Sequence, residues 1–461
     1  MKYRKYVLEI LLLPIFLNFI YNLLFNQTIK KLLNVNLINL IYIFILFLFL
    51  YHIGKTLKKT FSLNNVSSGI LFYFVIIFLI DNVLLFFTKN ISFHIFFIFT
   101  NFLILFLIIL KRLALKELFI SLFLLFINVI YVNYFFNNLS IQNSLKGDVA
   151  YQWFPMAENI YNQNYYYSLT NPIIDGYGQF ISYIHAILLK LNFGFNNFEY
   201  LTATTNVFIL IAILLFFELN IPTKYKYYLS LTFFIFVINS DWLNYLFINS
   251  LMGEAVVSLF FAIGFVSILS TTSSNQTNGI NFLIFGCLFF TKQFVSILVL
   301  IICAIHLFTK KNKIVITYSF LPYLINEINL LTLLKNTRRD AYVSDFDFKD
   351  TILDLLTNTN LKLDNINIIL INLIEDRPFT YLLIIFLFTN ILLIIYKKHE
   401  FENVLFFIIF ILNILLILIL YISAWRNMPE FDSAIRFILN LFHLTLIFSI
   451  LNLDRYLKFT D

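Results

Sequence analysis

Asp148, in the stretch GDVAYQWFPMAENI, is the acidic residue of this sequence best placed to do chemistry. It follows a long apolar run and precedes Tyr151 and Trp153, so its carboxylate emerges where the chain leaves a non-polar environment. There it has the position to take a proton from a hydroxyl or to hold a metal ion. An ordinary solvated loop aspartate is the plain alternative. Asp175 stands further along the same loop, just ahead of a short apolar helix. Trp153, Tyr161 and Tyr165 to Tyr167 crowd the interval, as in an aromatic belt at a membrane surface.

The elements that must position these groups follow from composition. In 461 residues, 61% are hydrophobic and only 12% charged, about half the charge of a globular chain. Such a chain cannot hide its apolar side chains in one soluble core. Nearly uncharged windows recur along its length, each long enough to cross about 30 Å of hydrocarbon. The reading is an all-α polytopic membrane protein. The net charge of +7 is therefore a question of sidedness, and no nucleic-acid partner is expected. Cys287 and Cys303 both fall inside apolar runs, which gives no disulfide framework. The six histidines lack ligand spacing, so no zinc site is expected. The N-terminus has a basic start and an apolar run without a small-residue cleavage site, and reads as an uncleaved first span.

Spans are expected near 6–25, 37–53, 69–88, 93–110 and 117–136, then 203–219, 225–240, 253–270, a short pair at 280–291 and 293–308, 314–334, 379–396, 403–423 and 434–451. That is about 14 transmembrane helices. The stretch 177–191 is short, polar at its start and closed by Lys190, and is expected to lie in the interface plane. With both termini cytoplasmic, Lys55, Lys58 and Lys59, then Lys111, Arg112 and Lys116, then Lys310, Lys311 and Lys313, and finally Arg455 and Lys458 gather on the inner side. Asp148, the segment from Asp241 to Glu254, and the segment Lys335 to Pro378 then face outward. Five divisions result: N-terminal helices 1–136, an outer loop 137–202 with interfacial helices, a central bundle 203–334, an outer loop 335–378, and C-terminal helices 379–461. No nucleotide-binding fingerprint occurs on the inner side, so an activated substrate must come from the membrane or from outside.

The order of motifs resembles the C-type (GT-C) superfamily of integral-membrane glycosyltransferases, which take a sugar from a polyprenyl-phosphate carrier. The stretches that carry it are the Asp-led loop GDVAYQWFPMAENIYNQNYY, the segment YGQFISYIHAILLKLNFGFNNFEYLT leading into a span, SLMGEAVVSLFFAIGFVSIL with an acid opening a span, and GCLFFTKQFVSILVLIICAI with its Thr-Lys turn. SAIRFILNLFHLTLIF, with an Arg near the head of the last span, adds a fifth. The resemblance implies that Asp148 is the catalytic or metal-binding acid and Glu254 a second catalytic acid at the mouth of its span. An acid beside lipid is costly unless paired or wet, and a snorkelling interfacial glutamate is the alternative for Glu254. Lys292 would bind the carrier phosphate, or else cap the preceding helix. Arg436 and Arg426 are further phosphate candidates, since guanidinium forks match its oxygens. Arg338 and Arg339 offer the same chemistry or a solvated loop face. Tyr151, Trp153, Asp175 and Asp241 complete the expected substrate-binding set. The chain departs from the family in having five spans before the loop and a single Asp in it rather than an adjacent acidic pair.

The implied function is inverting transfer of a sugar from a polyprenyl-phosphate donor to a lipid, glycan or protein acceptor on the outer face of a bacterial-type plasma membrane, in cell-envelope glycan synthesis. A divalent cation, Mg or Mn, at Asp148 is compatible with it. Two alternatives stay open. A lipid-linked glycan flippase or transporter would use the intramembrane acids Asp81, Glu218 and Glu327. An O-antigen-type polymerase would use Arg338, Arg339 and Arg377.

Overall fold

The structure is a computed structural model that describes residues 37–110, 115–124, 153–171, 179–191, 197–243, 253–269, 278–291, 293–310, 313–333, 356–357, 364–397, 400–422 and 438–460. Among the described residues every regular element is helical. Apolar runs of this length leave the backbone no partner but itself, and the helix satisfies each N–H and C=O within one segment.

The helices are α1 Leu37–Phe61, α2 Val66–Leu84, α3 Phe93–Leu110, α4 Phe154–Asn162, α5 Tyr165–Thr170, α6 Phe180–Leu191, α7 Asn197–Glu218, α8 Thr223–Asn239, the single turn α9 Asp241–Leu243, α10 Gly253–Leu269 and α11 Asn278–Gly286. A 3-10 turn, Cys287–Phe290, leads on to α12 Gln293–Lys310, α13 Lys313–Leu333, α14 Asp364–Glu375, α15 Arg377–Ile395, α16 Phe401–Ile422 and α17 Phe442–Thr460. A further helical stretch covers 115–124. Helices thus stand over the expected spans from 37–53 onward, and the short pair at 280–291 and 293–308 is present as α11 with its 3-10 turn and α12. The expected span at 6–25, and most of that at 117–136, lie outside the described residues. Three helices among the described residues are long and apolar enough to cross a membrane: α2, α3 and α15. The fold is accordingly that of an all-α membrane protein, and the count of about fourteen spans belongs with the proposed topology.

The chain divides into two units, each drawn from separated stretches rather than from the five consecutive segments read in the sequence. The larger takes residues 36–218 and 249–342, and the smaller takes 1–35, 219–248 and 343–461. In the larger unit α2 is the hub, touching α1, α3, α6, α7, α10, α11 and α13. It meets α1 glycine to glycine. A Cβ on Gly69 would stand 2.1 Å from the Gly54 carbonyl oxygen, so only hydrogen fits at this crossing. A second close crossing joins α11 to α13, where a Cβ on Gly286 would meet the Ser319 carbonyl oxygen at 2.3 Å and the Pro322 ring at 3.1 Å.

Polar residues inside the helices are mostly paired to their own backbone. Thr56, Thr60, Thr100 and Asn101 each donate to the carbonyl one turn back, which satisfies them without water. Helix ends are capped over long sequence distances. The Glu218 carboxylate, at the end of α7, accepts from the Val66 and Ser67 amides and the Ser67 hydroxyl at the start of α2. Negative charge at that N-terminus opposes the helix dipole and fills orphan donors. In the smaller unit Asp376 caps α15 through the Phe379 amide and also accepts from the Ser240 hydroxyl and the Trp242 amide.

The stretch 177–191 is expected to lie in the interface plane, and its surroundings are largely protein. In α6 every residue but Lys190 is buried within the protein. α2 and α4 are among the elements that enclose it, its buried Ser182 and His185 included.

Candidate functional site

The site is built around Phe78 on α2. Its ring meets Tyr165 of α5 at 5.8 Å, Phe180 and Tyr183 of α6 at 4.9 and 5.1 Å, and Phe290 of the 3-10 turn at 5.4 Å. Phe180 in turn stands edge-on to Phe260 of α10, with centroids 5.3 Å apart. Tilted and edge-on aromatic pairs at these separations are attractive beyond the area they bury. The Phe78 and Phe180 rings thereby tie together α5, α6, the helix opened by Glu254 and the turn that precedes position 292.

A second contact fixes the loop to α10. A Cβ on Gly253 would lie 2.7 Å from the Ile181 Cδ1 and 3.4 Å from Cζ2 of Trp153. Trp153 is fully buried. Its indole holds the start of α4 against the first residue of α10 rather than floating in an aromatic belt. Glu254, the next residue of α10, is 1% exposed in the helix's first turn. A snorkelling interfacial glutamate does not describe it. An acid there gains from the helix N-terminus.

Hydrogen bonds close the loop on itself. The Ser168 hydroxyl donates to the Gln179 side-chain oxygen at 2.9 Å, and the Gln179 amide returns a bond to the Ser168 carbonyl at 3.0 Å. This pair ties α5 to the residue that precedes α6. Asn164 caps α5 by accepting from the Tyr167 amide at 2.7 Å. The hairpin between α2 and α3 joins the same assembly: the Phe93 amide donates to the Gln163 carbonyl, and the Lys89 ammonium stands 5.3 Å above the Tyr166 ring. Lys190 approaches the His94 ring nitrogen to 2.8 Å, and the Tyr161 ring stands edge-on to His94. Burial lowers the Lys190 amine from the ordinary lysine range and pushes His185, enclosed in α6, down to about 4.

Asp81 lies one turn beyond Phe78 and is 8% exposed. It accepts a hydrogen bond from the Tyr183 hydroxyl at 2.6 Å. The apolar run around it signals that this acid needs a partner. Nothing in the sequence says that the partner is a tyrosine of α6. Phe78 and Gln179 escape sequence reading for the same reason, being an aromatic and a polar residue among many like them.

Of the candidates expected from the sequence, Trp153 and Glu254 are brought to the same place through Gly253. Asp241 opens the single turn α9, pinned by Asp376, and belongs to the smaller unit. Arg377 is exposed at the start of α15. Asp148, Tyr151, Asp175, Lys292, Arg338, Arg339, Arg426 and Arg436 lie outside the described residues. Among the described residues no three His, Cys, Asp or Glu side chains converge as metal ligands would. The residue to which a divalent cation was assigned, Asp148, is not one of these.

The fold and these contacts define a class, an all-α membrane protein with a loop folded back onto its helices. Comparison with protein-family models, with curated proteins and with solved structures finds no match for this chain.

Proposed function

We propose that the chain is a membrane glycosyltransferase that moves a sugar from a polyprenyl-phosphate carrier to a lipid, glycan or protein acceptor on the non-cytoplasmic face. The observation that carries this reading is the convergence on Phe78. Trp153 stands five residues beyond Asp148, Gly253 adjoins Glu254, and Phe290 stands two residues before Lys292. The segments flanking all three candidates pack into one assembly, as a shared site demands.

In the reaction, Asp148 takes the proton of the acceptor hydroxyl as that oxygen attacks the anomeric carbon. The carbon–oxygen bond to the carrier breaks, and the lipid phosphate leaves with the electron pair. Lys292 and an arginine, Arg436 or Arg426, stabilise the charge that grows on the phosphate.

Support for the sidedness comes from which helix ends are bonded. Lys55 and Lys59 pair with Glu117, Glu218 caps α2, Tyr225 donates to Asp454, and Arg455 pairs with Glu400. The count of about fourteen spans assigns each of these partners to the cytoplasmic side. Phe93 with Gln163, Lys190 with His94, and Ser240 with Asp376 are pairs that it assigns to the outer side. Each pair joins residues that this count puts on one side, and the distribution of Lys and Arg is what assigns both termini to the cytoplasmic side of a plasma membrane. The transport alternative loses ground, since Asp81 is bonded to Tyr183 and Glu218 caps a helix.

Asp148→Asn, in membrane-inserted protein, is expected to lower transfer from a polyprenyl-phosphate sugar by roughly 10²–10⁴-fold, the range for a lost general base. Lys292→Ala is expected to impair the same step. Undiminished transfer in Asp148→Asn, or thiol labelling that puts cysteines at 148 and 292 on opposite faces, overturns the assignment.

A further inference from the structure

Helix α14 is apolar on two sides. Its sequence, DNINIILINLIE, carries charge only at its first and last residues. Ile369 is buried, Ile366 and Leu373 are half-buried, and the helix packs on α15 and α16. On the other side Leu370, Ile371 and Ile374 are 50%, 54% and 63% exposed. Side chains three and four residues apart share a helix face, so these three make one patch. A helix resting on a protein in water turns one apolar side inward and a polar side outward. In α14 the outward side is apolar as well, with exposed Asn367 and Glu375 beside the patch.

The place of α14 in the fold says what covers that patch. A single residue, Asp376, separates it from α15, which is long and apolar enough to cross a membrane. The joint is fixed on both sides. Asp376 is buried and accepts from the Ser240 hydroxyl and the Phe379 amide, while the Thr380 hydroxyl donates to the Leu373 carbonyl. Ile374 stands three residues before Arg377, the first of α15. Even fully extended, that interval reaches only about 10 Å, and the headgroup zone on each side of the hydrocarbon is itself roughly 5–8 Å deep. Tyr381, Ile384, Phe388, Ile391 and Ile395 are all exposed and stand at the spacing of one face along α15. An apolar face of that length meets acyl chains, and the α14 patch begins at its head. Phospholipid is the one occupant present wherever α15 spans.

We propose that α14 is an interfacial helix, lying in the leaflet where α15 begins with Leu370, Ile371 and Ile374 set among phospholipid acyl chains. Part of the segment 335–378, expected from the sequence to be an outer loop, thereby belongs to the lipid surface. The proposal stands apart from the transferase reading and from the number of spans.

The test uses the full chain in nanodiscs of phosphatidylcholine and phosphatidylglycerol. Nitroxide labels are placed one at a time at Ile371→Cys and Ile374→Cys, with Phe388→Cys on α15 marking the depth of a span. Power-saturation EPR then compares collisions with oxygen, which concentrates in hydrocarbon, and with a water-soluble nickel chelate. Cys287 and Cys303 are buried, and the unsubstituted chain treated with the same label supplies the blank. Labels at 371 and 374 are expected to collide with oxygen in preference to nickel and to report a depth of about 5–10 Å into the boundary between headgroups and chains, shallower than the label at 388. Ile371→Asp is expected to shift the label at 374 toward water. Both label positions are exposed, so a folding failure at one leaves the other to decide. Preference for nickel at 371 and 374 puts the helix in water and overturns the proposal. Few collisions with either reagent mean that protein covers the patch, from a partner or a second copy, and overturn it equally.

Discussion

Helices α2 and α3 are successive, similar in length and both apolar, yet they occupy opposite kinds of place. The mean hydropathy of α2 is 2.0 and that of α3 is 2.6, while 78% of α2 is buried inside the protein against 33% of α3. On α3 a face of Ile95, Ile98, Phe99, Phe102 and Phe106 is exposed, as expected of a helix turned to lipid. On α2 the residues that lower its hydropathy are those that bind neighbours. Ser67 bonds to Glu218, Asp81 to Tyr183, and Asn82 receives the Asn329 side-chain amide at its carbonyl and its side-chain oxygen. In hydrocarbon an unpaired polar group is expensive. A modest loss of hydropathy spread along one span therefore marks the helix that others surround.

Substitutions of increasing mildness test this contrast. The largest effect is expected at the glycine crossing. Gly69→Leu drives a side chain into the Gly54 carbonyl, and backbone cannot yield as a flexible side chain can. The loss should be about 3 kcal/mol or more, seen as failure to recover folded protein from membranes. Glu218→Ala removes three bonds at the start of α2 and should cost about 2 kcal/mol in thermal or denaturant unfolding in detergent. Asp81→Ala leaves the buried Tyr183 hydroxyl without its acceptor and should cost about 1–2 kcal/mol, whereas Asp81→Asn should cost less than half as much. On α3, Phe102→Ala, at a side chain 64% exposed, should change stability by no more than about 0.5 kcal/mol. If Phe102→Ala proved as damaging as Gly69→Leu, the hub would be misidentified.

The same contrast separates what was legible from what was not. Some apolar runs give helices whose ends fall within a few residues of the expected spans, as 93–110 and 253–270 do, because burying a backbone away from water leaves no other economical form, whereas α1 runs on to Phe61 and α17 to Thr460. The first long stretch that cannot enter lipid was legible too, and short helices α4 and α5 lie in it. The burial of α6 was not legible, since a short apolar stretch closed by Lys190 reads alike whether lipid or protein covers it. Glu254 was found as an acid at the head of a span, but its enclosure was not. The contact between Trp153 and Gly253 is invisible along the chain, for glycine advertises a close approach without naming its partner.

By itself the sequence determined that the chain is a helical membrane protein and where its polar segments interrupt the helices, since both depend on local runs of apolar side chains. Only the tertiary structure decided that α2 is the hub of the larger unit, that Phe78 gathers α5, α6 and the 3-10 turn, and that Asp81 accepts from Tyr183. Those facts depend on pairings between residues up to a hundred or more positions apart, such as Asp81 with Tyr183 and Phe78 with Phe290. Hydropathy is a property of each segment alone and carries no record of its partner.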